Sequence, residues 1–265
     1  MLSEPGTPSA VGAPQPALVA HELGVSYGGV HAVSDLSLQV ERGRVVGLIG
    51  PNGAGKTTTI DALTGFVAHR GRVVVDGVDL TDAPPHQRAA RGLARTWQSL
   101  ELFDDLTVAE NGVIAAARPS LTGVLRDAVR PSRSSATAPG TAVARALALL
   151  EIEDLAERFP SELSLGQRKL AAVARALSAE PEVLLLDEPA AGLDTDESVE
   201  LGEKLRGLAA TGLSILLVDH DMNLVLGLCD HVYVLDFGRL IADGPPEAVR
   251  ADARVIEAYL GRAAS

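Results

Sequence analysis

The sequence of 265 residues contains one cysteine and few aromatic residues. With Cys229 alone, the chain cannot form an internal disulfide or a metal site built on several thiolates. This usage is typical of proteins from a reducing compartment. Aromatic residues account for 3% of the sequence and hydrophobic residues for 46%, so a globular core must be built mainly from Leu, Val and Ala.

Long apolar runs and excess positive charge are also absent from the sequence. No run approaches the roughly 20 apolar residues that a membrane-spanning helix needs. The opening stretch MLSEPGTPSAVGAPQP lacks the basic and then apolar segments of a secretory signal. The formal net charge of −12 argues against sequence-independent binding of nucleic acid, although a local positive loop can still bind an acidic ligand. We therefore expect a soluble, cytoplasmic chain that reaches a membrane only through a partner.

Strand-like and helix-like segments alternate along most of the chain. Residues 1–16 are rich in Pro, Gly, Ser and Ala and are predicted to be a disordered tail. Helical segments follow the apolar runs from residue 44 onward, which predicts an α/β core with a mainly parallel sheet. Alternating segments at the start predict an antiparallel β subdomain, and an α-helical subdomain is predicted as an insertion at about 99–178. A loop is predicted at 130–140. Strands are predicted within 17–27, 32–41, 44–50, 71–80, 181–189, 213–221 and 231–238.

The strongest motif is GPNGAGKTT, Gly50 to Thr58, which matches G-x-x-x-x-G-K-[ST] between a predicted strand and a predicted helix. Its glycines let successive backbone N–H groups point inward, and the helix N-terminus adds a positive dipole end. Lys56 is expected at the β- and γ-phosphates, and the Thr57 hydroxyl at Mg²⁺. The residues predicted to contact phosphate are Gly50, Pro51, Asn52, Gly53, Ala54, Gly55, Lys56, Thr57 and Thr58.

Two further predicted strands end in polar residues that suit phosphate chemistry. In VLLLDEP, Asp187 is placed to hold Mg²⁺, and Glu188 can polarise a water for attack on the γ-phosphate. His220 ends the run SILLVDH and is expected at the same carboxyl edge of the sheet, where it can contact the γ-phosphate. Taken alone, these residues could equally be solvated acids and a structural histidine; the phosphate loop favours the functional interpretation.

The stretch LSLGQRKL indicates a second helix start. Ser164 and Gln167 satisfy the capping-box spacing, so the simplest interpretation is a capped helix. The Gly166 turn would in addition allow a phosphate to approach the backbone closely. Two other residues, Gln98 and Tyr27, indicate little when each is taken alone.

In this order, Tyr27, GPNGAGKTT, Gln98, LSLGQ, VLLLDEP, AGLD and His220 resemble the motifs of the ATP-binding subunits of ABC transporters. The resemblance covers about residues 17–261 and implies a P-loop NTPase fold, a nucleotide-binding domain at 17–265, and ATP and Mg²⁺ as cofactors. It implies that Tyr27 stacks on adenine and that Gln98 contacts both Mg²⁺ and the attacking water. It further implies that Glu188 is the catalytic base and His220 the switch histidine.

The same resemblance implies that two chains pack head to tail around two ATP molecules. Ser164, Gly166 and Gln167 of one chain would then complete the nucleotide site of the other, and Asp194 in AGLD would communicate across the dimer. The implied partners are transmembrane permease subunits, a second ATP-binding subunit that is the same or a different chain, and indirectly a substrate-binding protein. The location implied is the inner face of the cell membrane, and no nucleic acid is expected.

Longer stretches narrow the resemblance to importers of branched-chain amino acids. These stretches are ARTWQSLELFDDLTVAENGVIAA, LTGVLRDAV, DEPAAGLD and the tail DGPPEAVRADARVIEAYLG. Subunits that serve urea or other amides, or lipopolysaccharide export, share much of this pattern and remain alternatives. A soluble ABC ATPase acting on ribosomes or DNA would need a second nucleotide domain or a long coiled coil. A P-loop kinase or GTPase would lack LSLGQ and the His220 strand.

Overall fold

The computed structural model describes residues 15–97, 102–117 and 139–260, and the strands in these ranges form a four-stranded and a six-stranded sheet. The predicted tail up to residue 14, Gln98, and the part of the predicted loop at 130–138 lie outside them. The bounds are β1 Leu18–Tyr27, β2 Val30–Val40, β3 Val45–Ile49, β4 Arg70–Val75, β5 Val78–Asp79, β6 Leu93–Arg95, β7 Val183–Asp187, β8 Ser214–Val218, β9 His231–Asp236 and β10 Arg239–Gly244.

The smaller sheet is antiparallel, in the order β2-β1-β4-β5. Its strands alternate as half-buried strands do: Leu36, Leu38 and Val40 of β2 are buried, while the residues between them are exposed. Gly28 and Gly29 form the turn between β1 and β2, as the sequence predicts. The predicted antiparallel β subdomain is confirmed.

The larger sheet has the order β10-β9-β3-β8-β7-β6, with β9, β3, β8, β7 and β6 parallel and β10 antiparallel to β9. Strands β3, β7 and β8 are buried at every residue, which explains why their sequences are continuous apolar runs. Because parallel strands end at the same edge of a sheet, the segments after β3, β7 and β8 lie side by side. The predicted mainly parallel sheet is confirmed.

In the part of the chain that the structure describes, α-helices α3, α4 and α5 between β6 and β7 form a helical layer. Val108 of α3, Val143 and Leu147 of α4, and Leu170 and Val173 of α5 share one hydrophobic cluster. This agrees with a helical insertion, whose bounds at about 99–178 stay a prediction. The helices are α1 Lys56–Thr64, α2 Pro85–Ala90, α3 Val108–Ala116, α4 Pro139–Leu149, α5 Leu165–Leu177, α6 Thr195–Ala210, α7 Met222–Leu228, α8 Pro246–Ala251 and α9 Ala253–Leu260.

Some elements of the fold are not predicted by local sequence patterns. Strand β6 has only three residues and no apolar run, and it forms because Leu93 and Ala94 pair with Val183 and Leu184 of β7. Strand β10 follows β9 through the tight turn at Phe237–Gly238. The end of the predicted loop at 130–140 is helical, since α4 begins at Pro139. Within the ranges described, no helix is long and apolar enough to cross a membrane.

Candidate active site

The phosphate loop lies between β3 and α1, at the carboxyl edge of the larger sheet. Gly55 precedes α1 with φ of 102°, and a Cβ atom there would lie 2.4 Å from the carbonyl oxygen of Ala32. Only glycine therefore fits this close approach. No side chain among the described residues caps the start of α1, so its first backbone N–H groups are left to a ligand.

Lys56 lies inside the loop and is buried. Its Nζ donates to the carbonyl oxygens of Gly50 at 2.8 Å and Pro51 at 3.1 Å, so the loop winds around the ammonium group. The cation and the N-terminus of α1 together form a local positive centre in an acidic chain. Such a centre suits an anion of high charge density, such as a nucleotide phosphate.

Asp187 ends β7 as a buried carboxylate. Neither of its oxygens has a hydrogen-bond partner among the described residues, and its nearest cation is Arg95, whose Nη2 lies 3.5 Å from Oδ2. Burial raises the pKa of Asp187 to about 6, and the Arg95 charge only partly opposes this rise. A buried carboxylate whose oxygens accept no hydrogen bond is a ligand of the kind that a hard divalent cation prefers.

Glu188 and His220 face each other across the ends of β7 and β8. The Glu188 backbone N–H donates to the carbonyl of Val218 at 2.7 Å, and its Oε1 lies 3.7 Å from Nδ1 of His220. The side chain of Glu188 is 16% exposed and that of His220 is 54% exposed. A carboxylate and an imidazole thus meet at an opening that a water molecule and a phosphate can reach. Glu188 has φ of 47°, a left-handed conformation that is unusual for a residue with a side chain.

Asp219 holds the turn that presents His220. It is fully buried, and its Oδ1 accepts the backbone N–H groups of His220 at 2.7 Å and Asp221 at 3.0 Å. Its Oδ2 accepts the backbone N–H of Ala190 at 3.3 Å, which joins this turn to the segment after β7. Asp219 therefore fixes the two segments that carry Glu188 and His220 relative to each other.

Two buried cations next to the site are not evident from the sequence. Arg95 pairs with Asp61 at 2.6 Å and lies over the Trp97 ring, 3.8 Å from its centre. Lys169 of α5 reaches the carbonyl of Glu188 with its Nζ at 3.1 Å, and burial lowers its pKa. Both contacts depend on packing between elements far apart in the chain, and no local pattern indicates them.

The LSLGQ turn starts α5 with the predicted capping box. The Gln167 backbone N–H donates to Ser164 Oγ at 3.2 Å, and the Ser164 backbone N–H donates to Gln167 Oε1 at 3.0 Å. Ser164, Gly166 and Gln167 line a cavity of about 350 Å³ whose wall includes Glu197 and contains no residue of the phosphate loop. Within one chain, this cavity is therefore not shared with the phosphate loop.

The remaining predicted residues have separate surroundings. Asp194 caps α6, since its Oδ1 accepts the Glu197 backbone N–H at 2.9 Å. Tyr27, at the end of β1, is 52% exposed, so its ring is accessible for stacking. Gln98 lies outside the described residues, next to Trp97. The functional roles of Tyr27, Asp194 and Gln98 stay predictions.

Comparison with known families decides the kind of protein. The sequence model of the ABC transporter family matches residues 33–191, which is more than half of the chain. The chain belongs to the ABC transporter family. A second model, for the branched-chain amino acid ATP-binding cassette transporter, matches residues 239–265.

Several relatives of this ABC transporter subunit match over nearly their whole length. The branched-chain amino acid transport ATP-binding protein BraF of Pseudomonas aeruginosa is 38% identical over 94% of this chain and 99% of its own. LivG of Escherichia coli, described in the same words, is 39% identical with the same coverage. LptB of Haemophilus influenzae, from a lipopolysaccharide export system, is 37% identical over 92% of this chain and 97% of its own.

Solved structures agree with this membership. The ABC transporter cassette MJ1267 in its ADP conformation superposes with a TM-score of 0.81 at 30% identity, covering 93% of this chain and 99% of that one. The predicted α/β P-loop NTPase fold is confirmed, and the chain is a nucleotide-binding ATPase subunit of an ABC transporter. The bacterial ABC transporter cassette MJ0796, which is 22% identical, was solved as a dimer.

Proposed function

We propose that this subunit hydrolyses ATP to drive the import of branched-chain amino acids. The observation that carries the proposal is the match of residues 239–265 to the branched-chain amino acid cassette model. Overall identity alone does not separate the candidates, because the lipopolysaccharide-export relative is nearly as similar as BraF. The match at residues 239–265 favours the branched-chain amino acid transporter among these candidates.

In this proposal the phosphate loop, Gly50 to Thr58, holds the β- and γ-phosphates with its backbone N–H groups and with Lys56. Thr57, Asp187 and Gln98 would hold Mg²⁺, and the main support is that the buried Asp187 oxygens accept no hydrogen bond from the described residues. When bound, Mg²⁺ offsets phosphate charge and so favours transfer of the γ-phosphoryl group. Binding of a cation also favours the ionised form of Asp187, against the effect of its burial.

Glu188 is the proposed general base. Its carboxylate is close to the opening and to His220, so it can orient a water molecule and accept its proton. His220 is exposed enough to contact the γ-phosphate, and its position is fixed through Asp219. Tyr27 is proposed to stack on adenine, because its ring is accessible at the end of β1.

The second half of each nucleotide site is proposed to come from another chain, identical or different. Ser164, Gly166 and Gln167 would close over the phosphates held by the partner chain, and Asp194 would lie near the same interface. Two observations support this: the cavity at the turn is lined by no residue of the phosphate loop of its own chain, and the cassette MJ0796 was solved as a dimer.

Permease subunits are the proposed membrane partners, and they would hold this subunit at the inner face of the membrane, with a substrate-binding protein acting indirectly. A mainly apolar cavity of about 460 Å³ is lined in part by Phe66, Trp97 and Arg175. We expect the permease to contact this region, between the larger sheet and the helical layer.

Reconstitution tests the proposal. The chain would be co-purified with the permeases and second ATPase encoded beside its gene and placed in vesicles with ATP inside and the matching binding protein outside. We expect uptake of radiolabelled leucine that requires Mg-ATP and is lost in the Glu188→Gln variant. Uptake of urea alone, or extraction of lipopolysaccharide instead of uptake, would contradict the proposed substrate class.

A further inference from the structure

The chain has three lysines, and one of them, Lys169, has no role in the proposed mechanism. Lys56 belongs to the phosphate loop, and Lys204, whose side chain is 10% exposed, pairs with the carboxylates of Glu151 at 3.1 Å and Glu200 at 3.6 Å. Lys169 is only 7% exposed, on the second turn of α5. Burial of an ammonium group costs free energy unless the group is hydrogen-bonded and paired with opposite charge.

The partner of Lys169 is the backbone of the proposed base. Its Nζ donates to the carbonyl oxygen of Glu188 at 3.1 Å, and the same oxygen accepts the backbone N–H of Ala191 at 3.2 Å. The charges of Asp219 and Glu188 also favour the ammonium form of Lys169. The cation thus lies among the groups that order the ends of β7 and β8.

Glu188 needs such support because its backbone is strained. A left-handed conformation is unfavourable for a residue with a side chain, and Glu188 has φ of 47°. Its N–H is fixed by the carbonyl of Val218, and its C=O by Lys169 and Ala191. Both sides of the residue are therefore held, which sets the direction in which its carboxylate points towards His220.

We propose that Lys169 is a positioning residue for ATP hydrolysis, which holds the Glu188 backbone so that its carboxylate meets His220 and the water. Lys169 also lies on the helix that begins with the Ser164–Gln167 turn. It therefore connects the turn that serves the nucleotide of the partner chain to the base that serves the nucleotide of its own chain. This inference rests on the proposed function.

The test compares substitutions at two lysines. Lys169→Met removes the cation and keeps an apolar stem, Lys169→Arg keeps a donor, and Lys204→Met is the matched control. We expect Lys169→Met to lower kcat about tenfold, since a hydrogen bond from a charged donor is lost, while KM and ATP affinity stay within about twofold. Its thermal midpoint should fall only slightly, because the Glu188 carbonyl keeps the backbone N–H of Ala191 as a donor.

Lys169→Arg should regain most of the lost kcat, and Lys204→Met should hydrolyse ATP like the wild type. A Lys169→Met protein with wild-type kcat would overturn the inference. So would a loss of kcat that accompanies an equal loss of thermal stability and that arginine does not restore. If the Lys169→Met protein does not fold, Lys169→Gln takes its place in the test. A folded Lys169→Gln protein with reduced kcat supports the inference, and one with wild-type kcat overturns it. Absence of hydrolysis in the wild type would instead contradict the proposed function.

Discussion

Two turns of this chain start helices with a pattern suited to phosphate, yet they differ in what completes them. The turn before α1 has no side-chain cap, winds around buried Lys56 and leaves its first N–H groups to a ligand. The turn before α5 caps itself through Ser164 and Gln167, and the neighbouring Arg168 donates from its Nε to the Leu163 carbonyl at 3.1 Å. The first is thus a complete anion site, whereas the second is stable without ligand and suits a phosphate that another chain presents.

The largest effect should come from the first turn. Lys56→Met removes the cation of the phosphate loop and leaves two carbonyl oxygens without their donor. We expect ATP affinity to fall about 1000-fold, measured by calorimetry, with hydrolysis lost as a result. Lys204→Met is the control and should bind like the wild type. Retained affinity in Lys56→Met would show that the first turn does not determine binding.

The Glu188→Gln variant tests the hydrolysis step separately from the binding of ATP by the two turns. Since the amide cannot accept a proton from water, we expect hydrolysis to fall about 1000-fold while ATP affinity is unchanged. With ATP uncleaved, both turns should stay on the nucleotide, so the variant should elute as a dimer in size-exclusion chromatography when ATP is present. A monomer with ATP and normal hydrolysis would contradict the assignment of the base.

Ser164→Ala tests the second turn alone. We expect hydrolysis to fall about 100-fold, as for loss of one donor to a developing charge, with ATP affinity nearly intact. Thr107→Ala is a matched control, because Thr107 and Glu110 form the same capping box on α3. Both variants should lose similar stability, and only the first should lose activity. A collapse of ATP affinity in Ser164→Ala would mean that the turn serves its own chain.

The smallest expected effect is on the free energy of unfolding of the chain without Mg²⁺ and nucleotide. Because the folded pKa of Asp187, about 6, lies above its usual 3.8, the folded chain binds more protons than the unfolded chain between these values. Ionisation of Asp187 therefore destabilises the folded chain, and this loss of stability develops as pH rises from about 4 to 6. At pH 7, without Mg²⁺ and nucleotide, Asp187→Asn should unfold with a free energy about 2 kcal/mol higher than the wild type. Urea titrations should show this gap closing near pH 4; a gap independent of pH would contradict burial as its cause.

The sequence predicts the parts of the molecule that carry local patterns. Continuous apolar runs predict β3, β7 and β8, and the serine–glutamine spacing predicts the capping box at Ser164. Strand β6 is not predictable in this way, because it depends on pairing with β7, which is distant in the chain. The contacts of Arg95 and Lys169 likewise arise only when remote elements pack together. For this reason the motifs predict which residues meet at the site, but not what holds them there.

A mixture of two inactive variants tests most directly whether the two turns serve different chains. Lys56→Met disables the phosphate loop, and Gly166→Asp places a negative charge at the second turn. If chains pair head to tail, a mixed dimer contains one site with an intact loop and an intact turn. We predict that the mixture hydrolyses Mg-ATP clearly faster than either variant alone, with the wild type active at the same concentration. A mixture as inactive as its components, beside an active wild type, would contradict a site shared between two chains.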